Sequence, residues 1–206
     1  MRIAACLLCC VVAACSGIGS RAPQRYFVLS SEPSSARPAE TAPVSQATLL
    51  IAPTTASAFY DTQDIVYSRS SGTRSYYQLN HWTEPPGRRL DVLLMERLAR
   101  SGRFRTVAAS TDAVEGTLVL SVRLDELYHD ASTPPGSVKI SLLAVLGDPA
   151  QRAVAAQRRF TSSTPATTYD APGAVDAFNA ALGPLLDDVA RWAADATGRA
   201  RADRSE

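Results

Sequence analysis

Thiols, imidazoles and carboxylates are the side chains best suited to chemistry, and their placement in these 206 residues limits what that chemistry is. Four Cys are present, Cys6, Cys9, Cys10 and Cys15, and none follows Cys15. The folded body therefore has no internal disulfide, no thiolate metal site and no Cys nucleophile. Two His, His81 and His129, are too few for a His-based metal cluster. No G-x-S-x-G elbow and no Gly-rich phosphate loop occurs; the 11 Gly are scattered and mark turns. Asp187-Asp188 is a carboxylate pair, but adjacent helix residues do not face each other, so it reads as solvated surface. Glu84 and Asp125-Glu126 are single acidic features near element ends. His81 sits between Asn80 and Trp82 without a partner acid or nucleophile nearby in sequence, and His129 with Asp130 falls in a strand-end loop. Both read as structural. The expectation is no catalytic residue and no metal.

Cys15 is the exception. Met1-Arg2 gives a short positive start, and Ile3 to Ala14 is an unbroken apolar run of 12 residues. A membrane-spanning helix needs about 20. The run fits a secretory signal with a small-residue cleavage site, Val12-Ala13-Ala14-Cys15. That site resembles the lipobox of bacterial lipoproteins, with Val where Leu is commoner. The resemblance implies a diacylglyceryl group on the Cys15 thiol, cleavage before it and acylation of the new amine. An ordinary signal peptide with an incidental Cys is the alternative. Ser16 stands where Asp signals inner-membrane retention in such lipoproteins, which implies export to the outer membrane.

Elements must position whatever else the chain does. Lys+Arg number 21 against 20 Asp+Glu, a net charge of +1, and 46% of residues are hydrophobic. This balance suits one globular domain with tails and argues against a dedicated nucleic-acid binder. Residues 1–14 are the signal peptide and 15–46 a lipid-anchored tether and linker with a short strand at 26–29. The body spans 47–197, and 198–206 is a disordered tail. The Ser-, Pro-, Ala- and Glu-rich stretch 30–46 reads as flexible, and with 16–24 it lets the body stand off the membrane.

Within the body, Thr48 to Ala52 reads as a buried strand. Gln63 to Arg69 and Arg74 to Leu79 read as a hairpin turned at Ser71-Gly72. Thr83 caps a helix that enters through Pro85-Pro86 and runs to Arg100, with Leu90, Leu93, Leu94 and Leu98 on its apolar face. Ser101-Gly102 ends it. Phe104 to Val107 is a short strand. Leu118, Leu120, Val122 and Leu124 alternate, and Leu127 breaks the parity, which predicts a bulge near Asp125. Val138 to Leu146 and Val154, Ala156, Arg158 and Phe160 alternate again, giving an antiparallel meander with one buried face. A final helix runs from Pro172 to Ala196. Its a/d seam is Val175, Phe178, Leu182, Leu185, Val189 and Trp192, and Gly183-Pro184 predicts a kink or break. The expected fold is α+β: a mixed, mainly antiparallel sheet with two principal helices packed on one face.

The order of these pieces is specific. A lipobox Cys15 precedes Tyr26-Phe27-Val28-Leu29, Leu50-Ile51-Ala52-Pro53, Asp64-Ile65-Val66-Tyr67 and Asn80-His81-Trp82-Thr83-Glu84-Pro85-Pro86. A Leu-rich helix, an alternating strand and an amphipathic helix follow. This resembles the ABC-type transport auxiliary lipoproteins (PqiC/YmbA-like), most specifically at Trp82-Thr83-Glu84-Pro85. His81 stands where members often carry Arg. The resemblance implies an outer-membrane lipoprotein facing the periplasm, which works with an MCE-domain protein of a lipid ABC transporter and helps dock or complete the conduit. It implies no enzyme activity and no cofactor, with phospholipid as a further partner and no nucleic acid. Two roles stay open for Trp82, Glu84 and Pro85: a structural motif, with Trp82 in the core and Glu84 favouring the helix N-terminus, or a partner contact. Also open are a homo-oligomer formed through the a/d seam or a sheet edge, and a structural or assembly lipoprotein that binds a barrel or envelope polymer.

Overall fold

The computed structural model describes residues 22–31 and 45–202, and Cys15 lies outside them. Nine strands and two helices follow in order: β1 Arg25–Phe27, β2 Ser45–Ile51, β3 Thr55–Ala56, β4 Asp64–Ser68, β5 Ser75–Trp82, α1 Pro86–Arg100, β6 Phe104–Ala109, β7 Leu118–Asp130, β8 Ser137–Asp148, β9 Ala153–Pro165 and α2 Ala171–Ala202.

β7 organises the sheet. Along one edge it pairs antiparallel with β8, which pairs antiparallel with β9. Along its other edge three strands follow one another in tandem, all parallel to it. β2 pairs at Leu118–Leu120, β3 at Arg123–Leu124 and β4 at His129–Asp130. β6 extends the sheet from β2, while β5 and then β1 extend it from β4. The sheet is thus mixed, and its long antiparallel ladders carry most of the paired residues, as the alternating runs predict.

Parity holds where it was sharpest. Leu118, Leu120, Val122 and Leu124 are buried, and so are Val138, Ile140, Leu142, Ala144 and Leu146. The β7–β8 register shifts between Leu124 and Glu126, and Leu127 and His129 are then the buried residues. α2 lies over β8 and β9 and reaches β2 and β7, while α1 packs on α2 and β6. All six a/d residues of α2 are buried, so the seam is spent inside the body.

Three expectations change. β9 was expected to bury Val154, Ala156 and Phe160, yet only Phe160 is buried and Val154 is 62% exposed. Among the described residues β9 pairs only with β8 and forms a sheet edge, and the Arg158 guanidinium covers the Phe160 ring at 5.1 Å. α2 runs unbroken through Gly183-Pro184, because Leu182, Leu185 and Leu186 are buried on either side and outweigh the missing N–H of Pro184. α2 also continues to Ala202, into the stretch read from sequence as a tail.

Two turn glycines take positive φ, +75° at Gly72 between β4 and β5 and +86° at Gly136 between β7 and β8. A Cβ on Gly72 meets open space, whereas one on Gly136 runs into the Asp130 carbonyl and the His129 ring. Gly72→Ala should cost about 1 kcal/mol, from φ alone. Gly136→Ala should cost about 3 kcal/mol, because strain and overlap add. Chemical denaturation of both variants checks the order, and equal losses would contradict it.

Candidate functional site

The Trp82-Thr83-Glu84-Pro85 stretch is the corner where β5 gives way to α1. The Trp82 side chain is 1% exposed and meets the Phe178 ring of α2 edge-on, with centroids 5.7 Å apart. Backbone groups tie the corner on two sides. Trp82 donates to the Gln63 carbonyl at 2.6 Å and Thr83 to the Phe27 carbonyl at 2.9 Å. The Gln63 side chain in turn donates to the Thr83 carbonyl at 2.7 Å. Thr83 is exposed and does not cap α1; Pro85 holds the N-cap position, and its carbonyl accepts from Arg88 and Arg89. Glu84 and Pro85 are half-buried, and the first turn of α1 holds no acidic side chain. Trp82 therefore packs in the core, while Glu84 precedes the N-cap instead of sitting in the helical turn.

The corner also receives the chain that leaves β1. Leu29 is buried, and its carbonyl accepts from Arg89 Nε at 2.9 Å. The Ser30 N–H donates to Asn179 Oδ1 of α2 at 2.9 Å. Arg97 Nη2 donates to Ser31 Oγ at 3.2 Å, and Arg97 Nη1 pairs with Asp187 Oδ1 at 2.5 Å. Residues 25–31 are thus strapped across both helices. This corrects the reading of 30–46 as added reach: the strap on one side and β2 on the other both belong to the body, and the residues between them, 32–44, lie outside the described part. Asp187 is likewise no idle surface carboxylate, since it holds buried Arg97 between the helices. Asp188 pairs with exposed Arg191 as expected of a solvated face.

Arg97 was legible in outline. It falls on the apolar stripe of α1 seven residues after Leu90, where a charge must find a partner. Asn179, one residue from the a/d position Phe178, is the corresponding signal on α2. Their partners lie 66 to 149 residues away in the chain, so spacing alone does not reveal them.

The imidazoles resolve separately. His81 does gain an acid from across the hairpin: Nδ1 lies 2.9 Å from Asp64 Oδ1, and the Tyr26 ring is 5.5 Å away. Its Nε2 is buried, with no hydrogen-bond partner among the described residues, and leaves a substrate no open approach. His129 is fully buried. Its Nε2 faces the Pro135 carbonyl at 2.9 Å, and a carbonyl only accepts, so Nε2 carries the proton. Nδ1 lies 2.8 Å from the Tyr77 hydroxyl, within hydrogen-bond distance. The ring thereby ties β5, β7 and the β7–β8 turn together. Burial pushes the Tyr77 phenol up to about 12.

Asp125, Glu126 and Asp170 serve as struts. Asp125, at the register shift, accepts from Arg123 at 2.6 Å and from Arg159, and the Arg123 bond leads in holding its carboxyl below the ordinary range. Glu126 pairs with Arg74 at 3.6 Å. Asp170 caps α2 by accepting from the Gly173 N–H at 3.0 Å, and the Thr168 hydroxyl bond is the main reason its carboxyl titrates low. Among the described residues no group of three metal-ligating side chains forms, and no helix is long and apolar enough to cross a membrane. Exposed apolar side chains do gather on one edge: Tyr26 and Val28 on and just after β1, Tyr76 and Leu79 on β5. Tyr76 stacks on Phe59 at 4.6 Å.

Comparison with known proteins places this arrangement. The family model described as ABC-type transport auxiliary lipoprotein component matches residues 27–190. The fold is similar to the crystal structure of protein XCC0632 from Xanthomonas campestris, described under the family label DUF330. Identity is 20% and the TM-score 0.77, with 84% of this chain and 97% of that one covered. A crystal structure of an uncharacterized protein is similar at 18% identity and a TM-score of 0.58, covering 87% and 98%. At these identities the likeness shows the fold. No curated protein matches the chain.

Two outcomes follow from the geometry. Because the folded phenol of Tyr77 titrates above its unfolded value near 10, its contribution to stability is complete below pH 10 and is lost as pH rises towards 12. Tyr77→Phe should be less stable at pH 8, lacking the bond to His129, yet fall less between pH 10 and 12; parallel denaturation curves at both ends check this. Asn179→Ala should cost about 1 kcal/mol and speed amide exchange at Ser30 ahead of the β7 amides. Unchanged protection at Ser30 would refute the strap.

Proposed function

Because the chain belongs to the ABC-type transport auxiliary lipoprotein family, we propose that it is a non-catalytic, lipid-anchored partner of an MCE-type lipid transport system. In this reading Cys15 carries the lipid, the outer membrane holds it, and the body faces the periplasm. The observation that carries the proposal is the family match, which runs from the end of β1 into α2. Val12-Ala13-Ala14-Cys15 supplies the lipidation site and Ser16 the absence of a retention signal.

The body suits a docking part better than an enzyme. Each imidazole is engaged with a neighbour, and Asp125, Glu126, Asp187 and Asp188 pair with Arg while Asp170 caps a helix. Trp82 works as a structural residue that joins β5 to α2, and the half-buried Glu84 and Pro85 are the part of that corner within a partner's reach. A second reading, a structural or assembly lipoprotein that binds a barrel or envelope polymer, draws on β9. This 13-residue strand pairs only with β8 among the described residues, so its outer row of backbone groups is open to strand addition.

Photocrosslinking in cells from Glu84, Val154 and Tyr76, with lipid extraction from the captured complexes, separates the readings. An MCE-domain protein and phospholipid are expected from the wild-type background, and both should vanish when Cys15→Ser removes the anchor. Capture of a barrel or an envelope polymer, without lipid, favours the second reading.

A further inference from the structure

The strap fixes where the anchor leaves the body and how far it reaches. Residues 25–31 are held by β5, α1 and α2, so only the residues between Cys15 and Arg25 span the gap to the lipid. Ten residue steps cover at most roughly 35 Å when fully extended. A random chain of that length averages about half as much. The body is therefore kept within about its own width of the bilayer.

The exit point also sets which part of the body comes nearest. β1 runs parallel to β5, with Arg25 opposite Asn80 and Phe27 opposite Trp82. The anchored segment thus enters the body at β1, beyond β5 on the edge opposite β9. That edge carries four of the eight large apolar side chains exposed among the described residues: Tyr26 57%, Val28 51%, Tyr76 37% and Leu79 37%. The other four, Val92, Val114, Val154 and Tyr169, lie on separate elements. β1 and β5 contain no carboxylate, and Arg25 adds a positive charge. The nearest acid of β4, Asp64, is occupied by His81. Aromatic rings with a polar tip favour the boundary between water and lipid, and two strands that carry no carboxylate add no repulsion of their own from anionic headgroups.

We propose that the β1–β5 edge, through Tyr26, Val28, Tyr76 and Leu79, rests on the lipid headgroups of the membrane that holds the anchor. This gives the body a fixed side towards the lipid and turns β9 and the open end of α2 away from it. The inference rests on Cys15 lipidation.

The test uses the mature, lipidated full chain in vesicles of phosphatidylethanolamine and phosphatidylglycerol. With Cys15 acylated, an introduced Cys is the one free thiol, so a fluorophore is placed by Gln78→Cys on β5 or by Gln157→Cys on β9. A spin-labelled headgroup lipid is expected to quench the Gln78 site and spare the Gln157 site. Adding Tyr76→Ser and Leu79→Ser should abolish that difference while flotation with vesicles persists. Equal quenching at the two sites of a chain that floats overturns the proposal and leaves the anchor intact. A chain that fails to float overturns the anchor and this inference together.

Discussion

The two hydrogen-bonding edges of β7 are the constraint on which the architecture depends. Its inward side chains are buried, so the backbone groups between them have no water to turn to and must find partners in the chain. On one side β8 supplies them almost from end to end. On the other no single strand is long enough, and β2, β3 and β4 divide the length. This division splits the sheet into two wings. One leads to β6 and α1, the other to β5 and β1. The Trp82 corner and the N-terminal strap lie where the second wing meets the helices, so both descend from how β7 is completed.

What the sequence made legible is local. Alternation marks β7 and β8, and the slip of parity at Leu127 locates the register shift beside Asp125. The Leu stripe of α1 and the a/d spacing of α2 give both helices and their inward faces. Gly72 and Gly102 mark a turn and a helix end because their backbone needs a positive φ. Each signal spans no more than a few turns or strand steps.

What stayed hidden depends on distant pairing. The parallel ladders of β2 with β6 and of β1 with β5 join segments more than 50 residues apart and leave no hairpin signature. The apolar residues of β9 were expected inside because alternation does not say whether a strand lies at an edge. Pro184 was read as a break because propensity does not register the burial on either side of it. Residues 30–46 have the composition of a tether, and only the strap at Leu29 to Ser31 shows that their two ends return to one body. For the candidate site, Trp82 and Cys15 stood out by type and position. Arg89 did not, and Asp187 was noticed but read as solvated surface, because each acts through a partner that only the fold supplies.

The parallel pairing of β1 with β5 has a mechanical consequence. A pull on the chain that enters β1, applied along the strand axis, loads the β1 ladder in shear, so its hydrogen bonds resist together instead of opening in sequence like a zip. Behind them, Leu29 in the core and the bonds from Arg89, Asn179 and Arg97 take up the same force on two helices. Tension applied at the N-terminal end of β1 is thereby spread into the packed centre of the molecule. A body attached through a frayed terminus would transmit the same tension to a few residues and peel.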